Sequence, residues 1–170
     1  MKNLVLIGFM GTGKSAVGRA VAQRLGRPFI DLDERIETRE GRVIAEIFRD
    51  QGEPYFRDVE SSVIAEAAAQ EGAVIATGGG AVLRPQNVER LKANGILICL
   101  RADAATIARR ISRKPSRPLL AGKGDVRERI ERLLAQRAPA YAVADVTIDS
   151  DDHPIDRIVE EVLRHAKYLG

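Results

Sequence analysis

A chain of 170 residues with 45% hydrophobic side chains is sized for one domain around one core. Its longest apolar runs fall far short of the ~18 residues a membrane-spanning helix requires, and the N-terminal stretch lacks a signal-peptide pattern. A formal net charge of +3 suits anionic ligands and in principle nucleic acid, but with aromatics at 4% and no tryptophan no aromatic-interleaved basic segment suggests base stacking.

Cys99 is the only cysteine, so no internal disulfide can form and a reducing cytoplasm is the expected setting. Strand-like and helix-like segments alternate along the chain, which implies an α/β domain with a parallel sheet.

The first apolar run, residues 4–7, has the length of a buried parallel strand. It leads into Gly8-Phe9-Met10-Gly11-Thr12-Gly13-Lys14-Ser15, which matches G-x-x-x-x-G-K-[ST] at every fixed position. Val17, Val21 and Leu25 then recur at helical spacing over 14–25. Strand, glycine loop and helix together aim successive backbone N–H groups at phosphate oxygens. Gly11, Thr12, Gly13, Lys14, Ser15 and Ala16 are therefore expected to hold a nucleoside triphosphate, with Lys14 on the β- and γ-phosphates and Ser15 on Mg²⁺.

Phe29 and Ile30 form a second strand, and a helix is expected over 33–50. Asp31 and Asp33 emerge at the carboxyl edge of the sheet, on one side if the chain stays extended. One carboxylate could hold metal-bound water while the other meets an attacking hydroxyl. The alternative for Asp33 is a helix N-cap.

On a helix over 53–70, Arg57 and Glu60 are spaced i, i+3 beside the apolar stripe of Phe56, Val59 and Val63. They form either a surface ion pair, with Glu53 joining at i−4, or an arginine held to offer its fork to a carboxylate. Thr77-Gly78-Gly79-Gly80 follows a strand over 73–76, and its N–H groups could form an anion-binding nest.

Further on, a helix at 86–94, a strand at 96–100 and a helix at 103–112 are expected. The stretch 113–124 carries two prolines, two glycines and four basic residues, and reads as a cationic lid or an ordinary surface loop. On the helix 125–137, Arg137 falls eleven residues past Val126 and on nearly the same face. It either aims inward or caps the last turn, with Pro139 stopping the helix. A strand at 145–148 and a helix at 155–168 close the chain, and Cys99, His153 and His165 read as ordinary residues.

Two classes of nucleotide protein compete, a small-molecule kinase and a GTP-dependent switch, with an ATP-binding assembly protein behind them. Neither N-K-x-D nor D-x-x-G occurs, which disfavours the switch. The assembly protein would not need inward-facing arginines.

The combination of the phosphate loop, Asp31-Leu32-Asp33, Phe56-Arg57 with Glu60, Gly78-Gly79-Gly80, Ser116-Arg117-Pro118-Leu119-Leu120 and Arg137-Ala138-Pro139-Ala140-Tyr141 resembles the shikimate kinase family. The resemblance covers almost the whole chain. It implies one domain over 1–170 with the fold of nucleoside monophosphate kinases. That fold is three-layered, with a five-stranded parallel sheet ordered 2-3-1-4-5, a lid near 113–124 and a helical substrate-binding segment near 33–61.

The resemblance further implies that Asp33 contacts the attacking 3-hydroxyl of shikimate, with Lys14, Asp33 and Arg117 as the catalytic set. Arg57 and Arg137 would grip the shikimate carboxylate, helped by the Gly78-Gly79-Gly80 backbone. Arg117 would close onto the phosphates, Arg110 would lie against adenine, and Asp31 would position Mg²⁺ through water. ATP and Mg²⁺ are thus the expected cofactors. Shikimate is the expected partner, without nucleic acid or membrane, and the expected state is a monomer. One departure is Ala16, which stands where the family usually has threonine.

Overall fold

Asn3–Ile7 is buried at every position, and this makes it the central strand, β1, of the computed structural model. Residues 1–112 and 124–170 are described by the structure. The segment 113–124 expected as a lid, except Gly124, and Arg117 with it lie outside the described residues.

The remaining elements follow the alternation expected from the sequence. After β1 come α1 (Lys14–Leu25), β2 (Phe29–Asp31), α2 (Leu32–Glu40), α3 (Ile44–Gln51), α4 (Glu53–Ala68) and β3 (Val74–Ala76). A short 3₁₀ turn (Ala81–Leu83) precedes α5 (Pro85–Ala93), β4 (Gly95–Arg101), α6 (Ala104–Ile111), α7 (Val126–Tyr141), β5 (Val146–Asp149) and α8 (Ile155–Leu169). The five strands are all parallel and run in the order β2-β3-β1-β4-β5, as the family resemblance implied.

Strand alternation splits the core into two faces. Val5 and Ile7 of β1 join Ile36, Ile47 and Ile64 of α2, α3 and α4 on one side. Leu4 and Leu6 join Val17 and Val21 of α1 and Ile158 and Val162 of α8 on the other. Burying one such side chain fully is worth about 1.5–3 kcal/mol. Exposed ion pairs such as Arg19 with Glu34 at 3.3 Å contribute little beside that. The helices are therefore held by their apolar faces. A third cluster of Phe9, Met10, Ile107 and Ile130 packs the phosphate loop against α6 and α7.

Most boundaries fall within a residue or two of the sequence reading, and three departures are larger or bear on the site. The helix expected over 33–50 is two helices, because Gly41 takes a left-handed conformation (φ 67°) and ends α2. Ile44 restarts the chain as α3, its N–H donating to Glu37 Oε2 at 3.1 Å. The helix expected to end before Pro139 runs through it to Tyr141. Proline's φ suits a helix, but the missing N–H and the ring's crowding of the carbonyl four residues back cost about 3 kcal/mol in a helix interior, which packing must offset. Ala140 and Tyr141 pack on the main core cluster and hold the last turn in place.

Finally, Asp33 does not cap a helix and does not lie on an extended chain. Asp31 is the N-cap of α2, its Oδ1 accepting from Asp33 N at 3.0 Å and Glu34 N at 3.2 Å. The helix begins one residue after β2 ends, so Asp33 sits in the first turn of α2.

Candidate active site

The parallel order sends every strand's carboxyl end to one edge, and β1 lies where the chain switches from one half of the sheet to the other. At that switch point the phosphate loop turns tightly. Gly8 has φ 138°, and a Cβ there would fall 2.3 Å from the Leu100 carbonyl oxygen, so only glycine lets the loop lie against β4. Gly13, at φ 97°, is the N-cap of α1 and offers no side-chain acceptor, which leaves the first N–H groups of the helix for a ligand.

Lys14 is buried, and its ammonium donates to the Gly8 and Phe9 carbonyls at 2.7 Å each. The Thr12 hydroxyl donates to the same Phe9 carbonyl at 2.8 Å. Arg110 donates to the Gly11 carbonyl at 3.2 Å and the Ser150 carbonyl at 2.8 Å, tying the loop to the segment after β5. Gly11, Thr12, Gly13, Lys14, Ser15, Ala16 and Arg110 all line one cleft of about 340 Å³.

A second cleft, of about 510 Å³, holds Asp31, Asp33, Arg57, Glu60, Gly78, Gly79, Gly80 and Arg137. It is within the size range of small-molecule sites. The two clefts share Met10, Ser15, Asp33, Gly78 and Gly79, so they open into one another at Asp33.

The walls of the larger cleft are charged and buried. Arg57 donates to Glu60 Oε1 at 2.8 Å, with Glu53 Oε1 at 3.4 Å, and only 8% of its surface is exposed. This is no surface ion pair. Burial pushes the Glu60 carboxyl above its ordinary value, outweighing the pull of Arg57.

Arg137 is buried as well, its guanidinium 5.5 Å from the Phe9 ring centroid. Its Nη1 has no hydrogen-bond partner among the described residues. Arg137 therefore faces the protein interior and not the carbonyls of the last turn. The glycines are dictated by these neighbours: a Cβ on Gly80 would fall 2.5 Å from the Arg57 guanidinium, and one on Gly78 would fall 2.9 Å from Asp33 Oδ1.

At the mouth shared by the clefts, the Ser15 hydroxyl donates to Asp31 Oδ2 at 2.6 Å. A hydroxyl beside a carboxylate is the oxygen donor set a hard cation takes, so these residues fit Mg²⁺. Among the described residues no group of three or more His, Cys, Asp or Glu is arranged for a metal. Phosphate and water oxygens would complete the coordination.

Sequence reasoning assigned no site role to three residues that border the clefts or touch their lining. Met10 borders both clefts and His153 borders the nucleotide cleft. Tyr141 donates its hydroxyl to the Gly79 carbonyl at 2.7 Å. The last carries a legible signal, since it stands four residues after Arg137 on the same helical face.

A parallel sheet ordered 2-3-1-4-5, a phosphate loop at its switch point and an arginine-lined cleft opening onto that loop define a P-loop kinase. The shikimate kinase family model matches residues 10–167, and the chain belongs to the shikimate kinase family.

The chain is similar to a shikimate kinase of Pelotomaculum thermopropionicum, at 48% identity covering 98% of this chain and 96% of that one. It is equally similar to one of Desulforudis audaxviator, at 48% identity over 100% of this chain and 89% of that one. Among solved structures, the shikimate kinase of Acinetobacter baumannii in complex with shikimate matches with a TM-score of 0.94 at 36% identity, covering 99% and 94% of the two chains. A gluconokinase of Sinorhizobium meliloti, at 21% identity and a TM-score of 0.62, shares the fold alone.

Proposed function

We propose that this protein transfers the γ-phosphoryl group of ATP to the 3-hydroxyl of shikimate. The observation that carries this reading is the pair of clefts meeting at Asp33, with the unpartnered nitrogen of Arg137 in the acceptor half. A buried guanidinium N–H without a partner is costly, and a carboxylate of the acceptor would satisfy it.

In this reading Arg57 and Arg137 bind the acceptor's carboxylate, while the backbone of Gly78, Gly79 and Gly80 bounds the ring. Residues 33–61 act as the substrate-binding segment, contributing Asp33 from one end of the acceptor cleft and Arg57 with Glu60 from another. Asp33 orients the 3-hydroxyl and accepts its hydrogen bond at the junction, where the γ-phosphate would arrive.

The phosphate-loop N–H groups and Lys14 bear the charge of the transferring group, so positioning and electrostatics do most of the catalysis. Arg117, from the lid segment, adds a cation to the phosphates, and Arg110 bounds the nucleotide. Ser15 and Asp31 would hold Mg²⁺, which neutralises phosphate charge when bound.

The same reading makes the protein a single-domain, monomeric cytoplasmic enzyme acting on small molecules, not on nucleic acid or membrane. The single buried Cys99 and the low aromatic content support that setting. A coupled ADP-release assay with shikimate, quinate, gluconate and nucleoside monophosphates tests the acceptor. Turnover with shikimate well above the others is the expected result; turnover with gluconate or a nucleotide in its place sinks the assignment.

A further inference from the structure

The carbonyls of the glycine turn are anchored by unlike groups. Gly78 O accepts from Ala81 N at 3.2 Å and Gly80 O from Leu83 N at 3.1 Å, both within the turn itself. Gly79 O accepts from the Tyr141 hydroxyl at 2.7 Å, from a residue 62 positions away on α7. The peptide joining Gly79 to Gly80 is trans, so fixing that carbonyl fixes the opposite direction for the Gly80 N–H. With glycine on both sides, the peptide has no side chain to hold it against rotation.

Arg137, one turn earlier on α7, approaches the same residue from another side. Its Nη1 lies 3.2 Å from where a Gly79 Cβ would stand. Two side chains spaced i, i+4 on one helix thus flank the turn, one bonded to the Gly79 carbonyl and one close beside its Cα. The phenol is well suited to the task. Burial pushes its ionisation up to about 12, against the pull of Arg137, so it remains a donor at neutral pH.

We propose that Tyr141 is a positioning residue of the acceptor site. Its hydroxyl sets the orientation of the Gly79–Gly80 peptide, and with it the backbone face that Arg137 and Arg57 share with the bound acid. This rests on the reading of the larger cleft as the site of a small hydroxy acid.

Tyr141→Phe keeps the ring and its packing and removes the hydroxyl, both the donor to Gly79 and the oxygen that meets Arg137, so the glycine resonances are what separate the two. Steady-state kinetics with each substrate varied in turn should show the shikimate KM raised about tenfold, as for a lost bond to a partly buried carbonyl. The ATP KM and kcat should stay within about twofold and the melting temperature within a few degrees. In ¹⁵N-glycine-labelled protein without ligand, the Gly79 and Gly80 amide resonances should move while those of Gly26 and Gly41 stay in place.

Unmoved turn resonances overturn the inference, as does an unchanged shikimate KM or an equal rise in both KM values. Loss of the folded state in Tyr141→Phe overturns it too, because the hydroxyl would then be a folding element. Wild-type protein that fails to turn over shikimate sinks the acceptor assignment instead. In that case the glycine resonances alone decide the role of Tyr141.

Discussion

Arg57 and Glu60 meet at 2.8 Å in the wall of the larger cleft, with 8% and 1% of their surfaces exposed. Attraction from the arginine lowers the carboxyl's affinity for protons, yet burial dominates and raises it. Glu60 therefore takes a proton more readily in the folded chain than in the unfolded one.

The sign of the pH effect follows from that inequality. In the window upward from the ordinary value of 4.5, the folded state binds more protons, so stability present below the window is lost as pH rises through it. Glu60→Gln, which cannot titrate, should flatten this slope in urea unfolding measured from about pH 4 to about pH 8. Glu60→Ala strands the guanidinium with only the longer Glu53 contact and should cost about 3 kcal/mol. An unchanged slope in the glutamine variant would remove Glu60 as its source.

Gly80 and Gly8 separate a site effect from a folding effect. At Gly80 the three atoms nearest an added Cβ all belong to the Arg57 guanidinium, the far end of a flexible side chain, and the backbone (φ −103°) accepts alanine. Gly80→Ala should fold, with a small loss in melting temperature and a shikimate KM raised at least about tenfold as Arg57 is displaced. At Gly8 the Cβ meets the Leu100 carbonyl at 2.3 Å, and the φ of 138° is strained for any side chain. Gly8→Ala should yield little folded protein, as solubility and circular dichroism would report.

Lys14 spans the phosphate loop, its ammonium on the Gly8 and Phe9 carbonyls. Lys14→Ala removes a preorganised cation from the place where charge builds during transfer. kcat should fall by about 10²–10³, the scale seen when one such donor is deleted. The shikimate KM should hardly move, because Lys14 borders the nucleotide cleft and is not among the residues lining the acceptor cleft. Near-normal kcat in single-turnover experiments would exclude the role.

Local signals in the sequence were sufficient for the frame of the molecule. Leu4 to Ile7 is apolar at consecutive positions, and a strand buried on both faces is the simplest structure for such a run. The glycine and lysine spacing then placed the loop without any long-range information. The misreadings arose where one residue had two local options. Asp31 and Asp33 both suit an N-cap, and the chain chose Asp31, whose other oxygen takes the Ser15 hydroxyl from α1. Pro139 signals a helix end locally, but packing of Ala140 and Tyr141 on the core carries α7 past it. Whether Arg137 capped its helix or faced inward depended on Phe9 and Gly79, far away in sequence, and periodicity could not separate the two.

Arg137 also sets function against stability. Its Nη1 is buried without a hydrogen-bond partner among the described residues, so attraction to Glu60 and contact with the Tyr141 hydroxyl offset only part of the desolvation cost of the charge. Arg137→Met preserves much of the apolar volume over Phe9 and removes that cost. The ligand-free variant should therefore melt at the same temperature as the parent or higher, as happens when a buried charge is replaced by a packed hydrophobe. Shikimate binding should weaken by about 2–4 kcal/mol, or roughly 30- to 1,000-fold, because the carboxylate loses a charge-assisted donor. Titration calorimetry and thermal melting on the same preparations read both quantities. A variant that melts several degrees lower yet binds shikimate unchanged would make Arg137 a structural residue and leave Arg57 as the sole anchor of the acid.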